Sequence, residues 1–493
     1  MDLLGEAALM LATFLFFWMV LSRWQQMRQK KMPPGPMPLP FIGNLLQLSP
    51  ENIYRSLMKL SEKYGPVFTI YLGSRPIVVL RGYEAVKEAL VDQAEAFSGR
   101  GKLAMFDWLF QGYGLPFCTG PRARELRRFS IMTLRNFGMG KRSMEERILE
   151  EINFLLDTFR SIQSAPIEPT YFLYRSVSNV ISSITFGHRF DYKDPEFTSL
   201  QNMMLESIRF TATRWGQIYD MFSGVVHHLP GPHHKALQKL SEMEDFFMKK
   251  AKANQETLDP NAPRDFMDCF IVKMQKESEE PNSHFFLKSL VINTIGIFFA
   301  GTETISSTLR YGFLILLKYP EVAGKMQKEI DLVIGRNRSP TMKDCSQMPY
   351  TEAVICEILR YTSQLPIGVS RHVMWDTQFR GYTIPKGTEV FPLLGSVLKD
   401  PNHFERPEAF DPQHFLDENG KLKMNDAFMP FSVGKRACLG QELARMEVFL
   451  FFTSILQNFC CESVVPREEI DITPKLIGFV SVAHSYEIRF IPR

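Results

Sequence analysis

Apolar residues along most of the chain recur at three- and four-residue intervals, and that period predicts helices. The pattern covers Asn52–Lys63, Tyr83–Asp92, Met144–Ile162, Ser199–Trp215, Lys235–Gln255, Phe285–Lys318, Glu321–Ile334 and Thr351–Thr362. Near the end, LARMEVFLFFTSILQNF continues a helix that begins close to Leu439. Alternation with period two is rarer. It predicts a hairpin over Pro66–Leu80, a second over Phe379–Phe391, and a strand in YEIRFI. Polar stretches at Glu256–Asp265 and Lys276–Ser283 read as loops. None of these breaks is strong enough to divide the body. The pattern therefore predicts one mainly α body with a small β region, an α+β fold spanning residues 41–493.

The first residues follow a different rule. Ala7–Ser22 carries no charge, and with Leu3 and Leu4 the apolar run is roughly 16–20 residues, or about 24–30 Å as a helix. That length suits a thin bilayer such as the endoplasmic reticulum, with Trp18 and Trp24 near the interface. A cleaved signal peptide would carry its basic residues before the apolar run. Here Asp2 and Glu6 precede it, while Arg23, Arg28, Lys30 and Lys31 follow. Residues 1–24 are thus expected to form a retained, single-pass signal-anchor with a luminal N-terminus and a cytosolic body. Residues 25–40 form a basic, proline-rich linker, in which PPGPMPLP (Pro33–Pro40) is a stiff spacer.

Composition changes this picture little. The 493 residues are 45% hydrophobic, enough for a large core. A net charge of +3 is too small to make nucleic acid the main partner. The seven cysteines are odd in number, scattered and without a CxxC pair, so a reducing compartment is expected. Any special role for one of them must come from its surroundings.

Cys438 has such surroundings. It lies in FSVGKRACLG (Phe431–Gly440), directly before the C-terminal helical pattern. Phe431 can shield a sulfur, Gly434 permits a tight turn, and Gly440 permits close approach of something flat. Arg436 offers a charged donor to a carboxylate. Amides at the start of the helix favour a thiolate. One thiolate with no neighbouring Cys or His cannot build a tetrahedral zinc site, but it can make one axial bond to haem iron. The spacing F-x-x-G-x-R-x-C-x-G resembles the haem loop of the cytochrome P-450 superfamily of haem-thiolate monooxygenases.

Other segments carry the same resemblance, in its vertebrate microsomal second-family form: PPGPMPLPFIGNLLQL, EAFSGRGK, NFGMGKRSMEERI, MPYTEAVICEILR and ARMEVFLFFTSILQNF. AGTET (Ala300–Thr304) resembles the distal-helix motif. The resemblance implies that Ala300 and Gly301 leave room for dioxygen, that Thr304 hydrogen-bonds it, and that Glu303 relays protons. In EILR it implies a buried Glu357–Arg360 pair, with His414 where the family usually has arginine. FERP (Phe404–Pro407) has the wrong spacing for that third member and is set aside as a decoy. Arg100, Arg127, Arg371 and Arg436 are the implied partners of the haem propionates. Two departures bear on them: Ala123 replaces a usual tryptophan and Ser370 a usual proline.

The implied pocket residues are Phe117, Ile208, Phe210, Phe299, Ile367, Gly368 and Phe479, mostly apolar as a lipophilic ligand requires. Arg122, Arg124, Arg128, Arg135 and Lys435 are expected to form a basic face for an acidic flavoprotein reductase. GVVHHLPGPHHK (Gly224–Lys235) holds four histidines but no carboxylate or cysteine, so a membrane-touching loop is preferred to a metal site.

The resemblance implies an enzyme of the endoplasmic reticulum membrane containing haem b. It takes NADPH electrons through the reductase, with a cytochrome b-type protein as another donor, and inserts one oxygen atom from dioxygen into lipophilic substrates. The rivals are a reductase-independent isomerase or peroxygenase, and a non-catalytic haem- or lipid-binding protein. Glu303–Thr304 and the basic face argue against the first; Ala123, Ser370 and His414 give the second some room, although no residue implied to touch haem or dioxygen is missing.

Overall fold

The computed structural model describes residues 10, 13, 14, 32–49, 52–211, 213–477 and 480–493. The predicted anchor lies outside them except for Met10, Thr13 and Phe14, and so does the pocket candidate Phe479.

Local chemistry explains where several helices begin and end. Asn52 caps Ile53–Tyr64, accepting from the Arg55 amide at 2.8 Å, and Gly65 ends it at a φ of 89°. The predicted Ser199–Trp215 helix is two helices, Pro195–Thr211 and Arg214–Val226. The break is a cap: Thr213 Oγ1 accepts from the Gly216 amide at 3.0 Å. Helices that the apolar period did not reveal include Gly120–Asn136 and Thr170–Thr185. The second buries hydroxyls on its packed face. Ser178, Ser182 and Thr185 donate back to the carbonyls of Tyr174, Ser178 and Ile181, which satisfies them inside the core.

The β region gathers strands from both halves of the chain. They are β1 (Val67–Leu72), β2 (Arg75–Arg81), β3 (Gly99–Arg100), β4 (Arg371–His372), β5 (Thr377–Phe379), β6 (Tyr382–Ile384) and β7 (Glu389–Leu393). The main sheet has the order β1-β2-β7-β4-β3, with β2 parallel to β7 and the other pairs antiparallel. The first predicted hairpin is β1–β2. The second is shorter than expected: β5 and β6 turn at Arg380–Gly381, both with positive φ, and Glu389–Phe391 leaves to pair with β2. Near the C-terminus, β8 (Phe459–Ser463) pairs with β11 (Ile488–Pro492), the strand that the YEIRFI alternation predicted, and β9 (Leu476–Ile477) pairs with β10 (Ser481–Val482).

The long helix Leu287–Lys318 is the axis of the core. Its 32 residues span about 48 Å. Length and composition would let it cross a membrane, but 67% of its apolar window is buried inside the protein. It packs on Thr170–Thr185, His233–Glu256, Pro349–Thr362 and the C-terminal helix Gln441–Asn458. The proline-rich run lies along β1, where Thr69 donates from its amide to Pro34 O at 2.8 Å and from Oγ1 to Pro33 O at 2.9 Å. A Cβ on Gly35 would fall 1.8 Å from Thr69 O, so only glycine fits there.

Candidate functional site

The loop before the C-terminal helix is pinned at both ends. The Cys438 amide donates to Phe431 O at 2.9 Å, and Gly434 turns at a φ of 73°. A Cβ on Gly434 would stand 1.7 Å from Leu90 O, so the loop presses against that backbone. Cys438 carries accessible surface, yet burial is the largest influence on its thiol, which puts the sulfur on the wall of an internal space. Burial pushes its pKa up, and the Gly440 amide bonded to the sulfur, with the charges of Arg127 and Arg100, works against that. A Cβ on Gly440 would meet no other atom within 4 Å.

Four arginines converge beside this thiol. Arg100 and Arg371 stand directly opposite one another on β3 and β4. Like charges at opposed positions destabilise a sheet unless an anion lies between them. Arg371 is 2% exposed, and its Nε and Nη1 have no partner; nor do Nε and Nη1 of Arg100. Burial, then the charges of Arg436 and Arg127, pull Arg371 down to about 9. Arg100 is pulled well down by burial and by the other three arginines. No carboxylate enters either balance. A flat group that carries two carboxylates and takes a thiolate on its metal answers all of these features, so the residues fit haem. Arg436 is engaged elsewhere, donating to the carbonyls of Cys118 at 2.8 Å and Leu115 at 3.1 Å. It ties the cysteine loop to the 115–118 segment.

The distal motif sits midway along the long helix. Ala300 is exposed although Phe298, Thr302 and Glu303 around it are buried. Thr304 Oγ1 donates to Ala300 O at 2.7 Å. Glu303 is 8% exposed; Ser307 donates to its Oε1 at 3.1 Å, and Oε2 has no partner. Burial pushes this carboxyl up to about 7, against Ser307, Arg209 and Arg310. Gly301 differs from expectation. The Cβ it lacks would stand 2.6 Å from Ile181, so its small size serves the packing of two helices.

Comparison with known proteins now decides the family. The model of the family described as Cytochrome P450 matches residues 33–490. The chain belongs to the cytochrome P450 family. It is 59% identical to cytochrome P450 2A4 of Mus musculus over 481 residues, 97% of each chain. It is 59% identical to cytochrome P450 2A13 of Homo sapiens and 60% identical to cytochrome P450 2A10 of Oryctolagus cuniculus, each over 475 residues and 96% of both chains. This P450 is thus a microsomal haem monooxygenase of the vertebrate second-family type. It contains haem b, uses NADPH electrons passed on by a reductase, and acts on lipophilic molecules such as xenobiotics.

Elsewhere in the P450, Glu357 and Arg360 form a fully buried bidentate pair, both bonds 2.7 Å. His414 Nδ1 lies 3.2 Å from both Glu357 oxygens, and its Nε2 faces Glu405 O. Both ring nitrogens therefore face acceptors, which calls for imidazolium. FERP does not take the third place beside Glu357 and Arg360, but its backbone meets them. Pro407 O accepts from Arg360 at 2.7 Å, Glu405 O faces His414, and the Phe404 ring lies 5.2 Å from the guanidinium. Only Arg406 stands outside, paired with Asp411.

Among the pocket candidates, Phe117 and Phe299 meet around Phe106, with ring centroids 5.6 and 5.5 Å from it. Phe110 also touches Phe117. Sequence reasoning missed Phe106 and Phe110; their i, i+4 spacing on Ala104–Phe110 was the available signal. Ile208 is buried and Phe210 half-buried near the end of their helix. Ile367 packs with the apolar cluster of β1 and β2, and Gly368 turns at a φ of 74°.

On Gly120–Asn136, Arg124, Arg128 and Arg135 are exposed along one stripe, with Met132 between them. Arg122 does not share it. Its guanidinium donates to Gly112 O at 3.1 Å and lies over the Tyr113 ring. Lys435 is paired with Glu95, and Arg135 with Glu442 at 3.6 Å. His227 and His233 pack with Tyr219, His228 and His234 pack against those two, and no metal-binding group occurs among the described residues.

Proposed function

We propose that Cys438 is the axial ligand of haem b, and that this P450 inserts one oxygen atom from dioxygen into lipophilic small molecules of the xenobiotic, fatty-acid or steroid kind. One observation carries the reading: an accessible thiol that receives the Gly440 amide and stands beside buried arginines with no carboxylate. When bound, haem supplies the activation of dioxygen. The chain's residues hold, exclude and relay. Arg100, Arg371 and Arg127 hold the propionates, while Phe431, Gly434, Arg436 and Gly440 shape the cysteine loop. Ala300 keeps the distal helix low over the reaction space. Thr304 offers a hydroxyl there, and Glu303, with a pKa of about 7, holds a proton that can move at neutral pH. Phe106, Phe117 and Phe299 make an apolar wall that binds lipophilic surface and excludes water.

The exposed arginine stripe with Lys435 suits an acidic flavoprotein reductase, with a cytochrome b-type protein as another donor. Residues 1–24 are a single-pass anchor with a luminal N-terminus, 25–40 a linker and 41–493 the catalytic domain. Exposed Phe41, Val225 and Leu229 support a membrane-facing side, and Phe41 and Phe222 both border Gly73. The test is the reduced carbon monoxide difference spectrum beside Cys438→Ser. A red-shifted Soret band lost in the variant is expected; a band unchanged by the substitution overturns the assignment.

A further inference from the structure

The free oxygen of Glu303 has a counterpart. Tyr174, on Thr170–Thr185, is 1% exposed, and its hydroxyl has no hydrogen-bond partner. Ile181 of the same helix packs against Gly301 of the long helix. Tyr174 precedes Ile181 by two turns on the same face, so its ring also lies against the long helix. No hydrogen bond joins the phenol to Glu303, yet the carboxylate is close enough to push the phenol up, in addition to the larger effect of burial. A buried donor and a buried acceptor, each left over, with the donor in the acceptor's field, are what one ordered water joins.

We propose that Tyr174 is a positioning residue for proton delivery: its phenol donates, through one buried water, to Oε2 of Glu303. This rests on the reading of Glu303 as the proton-relaying carboxyl. Ser307 on the long helix holds Oε1. The charged groups facing the carboxyl are Arg209, from Pro195–Thr211, and Arg310 on its own helix. Arg310 is already engaged with Glu168 at 3.4 Å and with the carbonyls of Ala483 and His484. Tyr174 is an unpartnered neutral donor buried on the packed side. A donor to the carboxylate favours its ionised form, so losing the phenol must raise the Glu303 pKa.

The experiment uses the full-length holoenzyme with Tyr174→Phe, Glu303→Gln and the double variant. The protonated-carboxyl infrared band is titrated, and its loss in Glu303→Gln assigns it against other raised carboxyls such as Glu389 and Glu447. In Tyr174→Phe the midpoint is expected to rise by about one pH unit, a tenfold change in proton affinity. Product formed per NADPH is expected to fall several-fold, with no further fall in the double variant. The reduced carbon monoxide spectrum and the unfolding temperature check folding, and Tyr174→Leu must move the midpoint the same way. If Tyr174→Phe leaves midpoint and coupling at parental values while Glu303→Gln lowers coupling, the Tyr174 proposal is overturned and the Glu303 reading stands. If Glu303→Gln leaves coupling unchanged, the Glu303 reading falls and this proposal falls with it.

Discussion

Two buried arginine sites in this P450 have opposite electrostatic character. Arg360 is fully enclosed and fully answered: Glu357 takes two of its bonds, and the carbonyls of Leu398, Pro407 and Ala409 take others. Arg371 is nearly as enclosed, but its reachable neighbours are Ser432 Oγ at 3.4 Å and Arg436 O at 3.5 Å, and two of its donors have none. Arg100 stands across from it with the same sign of charge. The first site is complete from the chain alone. The second requires an anion that the chain does not provide. A complete site serves the fold; an incomplete one at the same depth calls for a ligand, and haem is the one proposed for it.

The largest effect should come from breaking the complete site. Arg360→Ala leaves Glu357 buried without its countercharge, a loss of about 3–5 kcal/mol. Thermal unfolding should show it whether or not haem is bound. A small loss in both forms would mean that the pair is not the electrostatic keystone its geometry suggests.

The incomplete site should respond with opposite signs. Arg371→Met removes a charge that burial and two other arginines already disfavour, so the haem-depleted protein should unfold at a higher temperature. With Arg371 holding a propionate as proposed, the same variant should lose a charged donor to it, about 1.5–3 kcal/mol, or roughly 10- to 150-fold in haem affinity. Haem transfer to an acceptor apoprotein measures the second quantity. A fall in both would put Arg371 in the same class as Arg360.

The two sites were also unequally legible in the sequence. The cysteine loop and the Glu357–Arg360 pair are short-range motifs that the family resemblance picks out, although i, i+3 spacing by itself suits a surface pair equally well. The opposition of Arg100 and Arg371 depends on two two-residue strands brought together by the sheet, which no local pattern announces. The FERP segment was rightly denied the third place beside Glu357 and Arg360, but the part it does play, through backbone carbonyls, carries no side-chain signature. Thr170–Thr185 stayed hidden because its buried face is rich in hydroxyls that bond to their own helix. With it went Tyr174. The second hairpin was overextended because β7 alternates like a hairpin strand but is captured by β2. Arg122 could have been separated from the start: it lies two residues, about 200° of helical rotation, from Arg124.

The smallest effect tests how complete the first site is. Burial alone would lower the His414 pKa, but its bonds to Glu357 and to the Glu405 carbonyl outweigh that and raise it above 6.5. A raised pKa means that folding favours the protonated ring. Its stabilisation is fully present below about 6.5, the unfolded value, and is lost as pH rises through the higher folded value. His414→Gln keeps a donor towards Glu357 without the charge. The difference in unfolding free energy between parent and variant should therefore be largest at mildly acidic pH and shrink as pH rises. A difference that stays flat with pH would show that Glu357 is neutralised by Arg360 alone, leaving His414 as a neutral bridge between the buried pair and the Glu405 backbone.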